Sequence, residues 1–299
     1  MHHQDIKIAM IGLDTSHSVE FTRRLQAPAC PENQRVTGMR VTHCCRFMTP
    51  FTTEAVLDER SSLLASWGVR VTDRFDEAIA GCDAIMLEIN DPSLHLDYFR
   101  KCLDIDVPVF IDKPLADCYE NGREIAGLAS KHGKKVLSAS ALRCSGNLIE
   151  ACSQVTDATH AYCYGPLGKA LAGNSLIWYG VHSFEMLQRI MGKGALSVDA
   201  RQDESGIVIV VQYPDNRRGI VELTHGLYLY GGTVKSSDAA VSFQVDTRLF
   251  YTELLQEIKQ FFLKGKASWD LDDALEIIKM MDYSVASYEK NEAVRLDDW

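Results

Sequence analysis

Between residues 6 and 138 short apolar runs alternate with stretches of helical spacing. The runs cover 6–11, 39–45, 69–71, 84–89, 107–111 and 135–138, and the helical stretches 19–25, 61–67, 75–79, 94–103 and 119–132. A strand that stays apolar along its length, without alternation, is covered on both faces. Strands of that kind separated by helices can be assembled only as a parallel sheet with right-handed crossovers and helices on both sides. Gly68 and Gly133 fall just past helical stretches, where a residue of left-handed conformation ends a helix. The first half is therefore expected to be a doubly wound α/β domain spanning residues 1–141.

The period changes after residue 140. Residues 147–154 have helical spacing, 157–165 those of a strand, and 175–191 those of a mixed helix ending at Gly192. Two apolar strands, 207–213 and 219–224, flank Pro214-Asp215-Asn216, a strong turn signal. Further alternating stretches at 227–234 and 239–245 precede helices at 250–263 and 272–288, with Asp272 placed as an N-cap. Residues 142–299 thus read as a second α/β domain built on a largely antiparallel open sheet with helices on one face. No repeat or low-complexity linker separates the halves.

Composition narrows the function. With 46% hydrophobic and 24% charged residues, the 299-residue chain can bury large cores. A formal charge of -10 argues against nucleic-acid binding, which needs a basic face. Nine cysteines without a Cys-x-x-Cys pair give no disulfide framework, and adjacent Cys44 and Cys45 in an apolar strand suit reduced, buried thiols. No secretory start or membrane-length apolar stretch is visible, so a cytoplasmic location without membrane contact is expected.

Four segments can carry chemistry. The run 107–111 leads straight into Asp112-Lys113-Pro114, setting a lysine at the carboxyl end of an interior strand, where open α/β sheets bind ligands. Partial burial there makes an amine a useful proton donor or acceptor. The first strand ends Gly12-Leu13-Asp14-Thr15-Ser16-His17-Ser18. A dinucleotide site has three glycines in this turn, so that backbone can approach the pyrophosphate at the helix N-terminus. Only Gly12 is present, and the Asp14 carboxylate is expected to repel phosphate at short range. Thr15, Ser16 and Ser18 can still hold an anion, and simple helix capping by Asp14, Thr15 or Ser16 is the plain alternative. The second strand ends in Arg46 rather than the acid that grips ribose. Arg46 can pair with a 2′-phosphate, although a solvated charge is the simpler reading. Asn90 and His95, in Asn90-Asp91-Pro92-Ser93-Leu94-His95, can line the same crevice, with Asp91 or Ser93 as a cap.

The fourth segment is Trp178-Tyr179-Gly180-Val181-His182-Ser183-Phe184-Glu185. On a helix, His182 and Glu185 share a face, and a carboxylate beside an imidazole fixes its tautomer for acid–base work. Gly180 inside a helix costs about 1 kcal/mol against alanine, which implies a close approach there. No HExxH or clustered Cys/His spacing occurs, so no metal site is expected.

Together these residues resemble the glucose–fructose oxidoreductase / inositol dehydrogenase / rhizopine catabolism (Gfo/Idh/MocA) family over nearly the whole chain. Residues 84–114, with His95 and Asp112-Lys113-Pro114, resemble its strand, loop, helix and Glu-Lys-Pro hallmark. Residues 178–185 resemble its Asp-x-Gly-x-His-x-x-Asp segment, and 250–296 its C-terminal helices and tail. The resemblance implies a Rossmann-type dinucleotide-binding domain and a substrate-binding, oligomerising domain. It also implies NAD or NADP as cofactor, a sugar-like or cyclitol substrate, and a homo-oligomer formed through the second sheet. Lys113 would polarise or protonate the reacting oxygen, and His182 would orient the substrate hydroxyl or take its proton in a shared cleft. Asp112 stands for the usual glutamate and Glu185 for the usual aspartate, while Trp178 replaces an aspartate. The changed glycine turn and the missing ribose acid leave two other readings open. One is a ligand-binding or regulatory protein without dehydrogenase chemistry; the other is a lyase or isomerase that recycles a bound nicotinamide.

Overall fold

The computed structural model describes residues 5–296. The chain forms two compact units. The first holds the described residues up to Ala116 with Asn121–Ser138 and Tyr251–Leu271; the second holds Asp117–Glu120, Ala139–Phe250 and the described residues from Asp272 on.

Unit 1 follows the alternation read from the sequence. In chain order it runs β1 (Ile6–Ile11), α1 (Ser16–Gln26), β2 (Met39–Cys45), α2 (Glu54–Ser66), β3 (Arg70–Thr72), α3 (Phe75–Ile79), β4 (Ala84–Leu87), α4 (His95–Lys101), β5 (Val109–Asp112), α5 (Tyr119–Lys131) and β6 (Val136–Ala139). The strands make one sheet in the order β3-β2-β1-β4-β5-β6, with β1 parallel to both β2 and β4. Strand order reverses between β1 and β4, the switch point at which such sheets open a crevice beyond their carboxyl ends. Ile8 to Ile11, Ala84 to Leu87 and Val109 to Ile111 are fully buried, as expected for strands covered on both faces. Two helices start earlier than apolar spacing suggested. Helix α1 opens at Ser16 because Thr15 caps it, accepting the His17 N–H at 3.2 Å. Helix α2 opens at Glu54 under a Thr53 cap, and only its Leu57 and Leu64 are buried.

Unit 2 begins with α6 (Gly146–Gln154) and β7 (His160–Pro166). A π-helical turn, Leu176–Gly180, then leads into α7 (Val181–Met191). Strands β8 (Ser197–Gln202), β9 (Gly206–Gln212), β10 (Arg218–Thr224), β11 (Gly231–Lys235) and β12 (Ala240–Gln244) follow. Next α8 (Phe250–Lys264) begins, and from Tyr251 the chain returns to unit 1. There Thr252 Oγ1 donates to the Gln34 carbonyl at 2.9 Å, and Tyr251 stands edge-on to His17 and Phe21. Helix α9 (Leu271–Lys290) and β13 (Val294–Arg295) complete unit 2. Helix α9 starts at Leu271, so Asp272 lies inside its first turn, favouring the helix dipole, and is not the N-cap.

The second sheet runs β12-β11-β7-β10-β9-β8-β13. It is antiparallel except where β10 pairs with β7 in parallel. The Pro214–Asn216 turn closes the β9–β10 hairpin with Asp215 and Asn216 at φ of 59° and 58°. Strand β8 was not apparent in the sequence because Val198 and Ala200 are its only apolar positions. One face of the sheet, carrying Cys163, Ile209, Val211, Val221 and Leu223, is buried with Phe184 and Leu187 of α7. The other face carries Val208, Val210, Ile220, Tyr162 and Tyr164, none of them fully buried.

Candidate active site

In unit 1 the ends of β1, β4 and β5 bring together residues that are far apart in sequence. Gly12 makes the tight turn at φ +108°, and a Cβ there would lie 2.1 Å from the Glu88 carbonyl oxygen, so only glycine fits. Asp14 does not cap the helix. Its carboxylate is buried, accepting from Thr49 Oγ1 at 2.8 Å and from the Asn90 N–H at 3.0 Å. Burial raises its pKa, against the pull of those two hydrogen bonds. The charge expected to repel phosphate is thus turned into the protein and partly suppressed. Ser16 is the exposed residue at the helix start, and Ser18 Oγ donates to the Gly12 carbonyl at 3.1 Å.

His17 Nδ1 lies 2.7 Å from Asp112 Oδ2, tying the cofactor turn to the end of β5. Just beyond, Lys113 is 6% exposed, and its ammonium makes no hydrogen bond or ion pair among the described residues. Glu88, at the end of β4, is fully buried, with no hydrogen-bond partner on either carboxylate oxygen. Burial, then the neighbouring Asp112 charge, push the Glu88 carboxyl well above the usual range, with Lys113 opposing. Burial also works against ionisation of Asp112, but its interactions with His17 and Lys113 outweigh it and hold Asp112 low. Of the two carboxyls, Glu88 is the one whose ionisation burial disfavours and Asp112 the one whose charge is favoured. Donor atoms of His17, Glu88 and Asp112 lie within 4.8 Å of one another. Ligand spacing along the sequence could not show this cluster, because the three residues stand on three separate crossovers. The one available signal was a carboxylate inside the apolar run 84–89.

Two cofactor candidates have other commitments. Arg46 is a surface charge that pairs with exposed Glu54 and with exposed Asp58, the latter at 2.7 Å. His95 does not line a crevice. It is fully buried, its Nε2 and Nδ1 lying 2.8 Å and 3.2 Å from the carbonyls of Ile89 and Leu115, so it braces the loops on either side of Lys113. Asp91 caps the short turn before α4, accepting the Ser93 N–H at 3.1 Å. Asn90 contributes its backbone to Asp14, and Pro114 is buried beyond Lys113.

In unit 2, His182 lies on α7 just after the π-helical turn, an irregularity often found at functional sites. Its Nδ1 is 2.7 Å from Ser140 Oγ, and its ring sits edge-on to Tyr179 and Tyr230. Glu185 shares that helix face, but its carboxylate is committed elsewhere, to the Ser140 N–H at 2.8 Å and to Arg143 Nη1 at 3.2 Å. Glu185 therefore positions the residue that holds His182. Burial outweighs the attraction of Arg143 and pushes the Glu185 carboxyl up to about 7. Arg143 also lies 3.8 Å from Asp273, whose charge opposes ionisation of Glu185. Ser140 and Arg143, between β6 and α6, had no sequence signature. The close approach at Gly180 is internal: a Cβ would lie 2.8 Å from both Leu176 and Leu223.

A six-stranded parallel sheet with this strand order and a glycine turn after β1 has the architecture of the dinucleotide-binding α/β proteins. Residues 6–140 match the GFO_IDH_MocA model, described as an oxidoreductase family with an NAD-binding Rossmann fold. No curated protein matches the sequence. Among solved structures, the chain is similar to GenD2 from gentamicin A biosynthesis in complex with NAD, with TM-score 0.81, 14% identity, and 99% of this chain and 97% of that one covered. It is similar to a scyllo-inositol dehydrogenase from Lactobacillus casei with bound NAD(H) and scyllo-inositol, with TM-score 0.79, 15% identity and coverage of 99% and 100%. A myo-inositol dehydrogenase from Corynebacterium glutamicum gives TM-score 0.79, 12% identity and coverage of 98% and 99%. At these identities the likeness is one of fold. Among the described residues no helix is long and apolar enough to cross a membrane.

Proposed function

We propose that this chain is a nicotinamide-dependent oxidoreductase acting on a hydroxyl or keto carbon of a sugar, cyclitol or related small molecule. The observation that carries the reading is Lys113, a buried amine at the carboxyl end of β5 with no hydrogen bond or ion pair among the described residues. The residues of the first turn fit a dinucleotide. Gly12 makes the tight turn that packs on the Glu88 backbone, the N-terminus of α1 offers backbone N–H groups beside exposed Ser16, and Asp14 is turned inward. Asn90 and His95 fix the loop beside this turn, while Asp112 and Pro114 frame Lys113. Arg46, already paired with two carboxylates, gives a 2′-phosphate little to bind, which favours NAD over NADP. NAD or NADH in this turn would supply the hydride acceptor or donor.

Lys113 holds the reacting oxygen and moves its proton, and in the second unit His182, oriented by Ser140, is an acid–base candidate. Glu185 is a positioning residue. The partners are a small sugar-like molecule and further copies of the chain through the half-exposed face of the second sheet. Purified protein should change nicotinamide absorbance with a member of a polyol and aldose panel, and Lys113→Ala should abolish that change. Full turnover by Lys113→Ala would overturn the assignment. The departure of Asp14 and His17 from the glycine pattern favours one rival, a ligand-binding member of the fold without turnover. That rival predicts saturable sugar binding and no absorbance change with any panel member.

A further inference from the structure

We propose that His17, Glu88 and Asp112 form a binding site for a divalent transition-metal cation, of the zinc or manganese kind, at the carboxyl edge of the first sheet. Glu88 and Asp112 are almost completely buried, the His17 side chain is 11% exposed, and their donor atoms lie within 4.8 Å of one another. Three carboxylate oxygens in this cluster, both of Glu88 and Oδ1 of Asp112, have no hydrogen-bond partner. Burying oxygens in that state is costly unless something compensates them.

A proton shared between Glu88 and Asp112 would neutralise one charge but leave the remaining oxygens without a donor. Lys113 attracts both carboxylates without a hydrogen bond or ion pair to either. A divalent cation held by one atom of each residue would give Glu88 and Asp112 each a partner and balance both charges. One imidazole nitrogen with carboxylate oxygens suits zinc, manganese or ferrous iron; it lacks the thiolates that select cuprous copper and the many oxygens that calcium requires. Ligands about 2.1 Å from one tetrahedral ion stand about 3.4 Å apart, so the widest pair would close by at most about 1.4 Å, about 0.7 Å from each side chain. Bound there, the ion would clamp the first residues of α1 to the ends of β4 and β5, in a turn that has lost two of its three glycines.

This goes beyond the dehydrogenase reading and is tested without turnover. The intact protein, purified without metal-affinity steps, is assayed for metal content. After chelation it is titrated with Zn²⁺ and Mn²⁺ while thermal unfolding is followed. About one equivalent per chain is expected, with a rise in Tm. Glu88→Gln, which keeps the shape, should weaken binding about ten-fold or more and remove the rise. His17→Gln should do the same, with circular dichroism reporting that each variant is folded. Absence of bound metal together with no Tm response to either ion would overturn the proposal, leaving a protonated Glu88. Equal metal uptake by wild type and both variants would overturn it too, placing the ion elsewhere on the surface.

Discussion

Replacing Glu185 by glutamine tests how the acid–base cluster of the second unit is held. Glu185 is buried, and its carboxyl is pushed from an ordinary value of 4.5 up to about 7, first by burial and then by the Asp273 charge, with Arg143 opposing. The raised native value means that between those two pH values the folded chain binds more protons here than the unfolded one. This contribution is fully present below 4.5 and is lost as pH rises through about 7. The gap, at about 1.4 kcal/mol per pH unit, is worth about 3 kcal/mol. Glutamine mimics the protonated acid and can still accept the Ser140 N–H. Wild type and Glu185→Gln should therefore have similar stability at about pH 4.5, and the variant should gain about 3 kcal/mol relative to wild type by about pH 8. Urea unfolding of both proteins at the two pH values, followed by circular dichroism, gives the comparison. If the Arg143 ion pair dominated instead, the carboxylate would be charged throughout, and the variant would lose about 3–5 kcal/mol at the higher pH. That result would refute the reasoning.

Three further outcomes follow from the geometry. Gly12→Ala puts a Cβ 2.1 Å from the Glu88 carbonyl at a φ of +108°; it should cost about 3 kcal/mol or more and lower the Tm of the first unit by about 10 °C in calorimetry. Lys113→Ala should leave NADH affinity within about three-fold while turnover falls about a hundred-fold or more, and stopped-flow kinetics with binding titration separates the two. Ile220 lies between Val210 and Tyr162 on the half-exposed sheet face, so Ile220→Lys should turn an oligomer into monomers in light scattering. A wild-type chain that is already monomeric would contradict that assignment.

Both parallel-sheet strands and hairpin strands were legible wherever apolar runs are long or turn residues are strong. The bounds of β1 and β2 coincide with the runs at 6–11 and 39–45. Elements whose stability comes from tertiary contacts were harder to see. Strand β8 has two small apolar residues, and α2 is started by a threonine cap and buries only Leu57 and Leu64. The return of residues 251–271 to the first unit left no local mark, since an amphipathic helix does not encode which sheet it covers. Lys113 and His182 stood out because each type is informative where it falls, one past a buried strand and one beside an interior glycine. Their supporting residues did not. Ser140, Arg143 and Glu88 act through contacts across more than forty positions in sequence or by burial, and local spacing carries no record of either. The surface partners of Arg46, Glu54 and Asp58, are likewise not named by its own segment.

The most direct test of the whole account is a fluorescence titration of the wild-type chain with NADH. The geometry of Gly12, Ser16 and inward-turned Asp14 predicts saturable binding at one site per chain, tighter for NADH than for NADPH. No saturation by either nucleotide up to about millimolar concentration, the weak end of binding at about -4 kcal/mol, would contradict it.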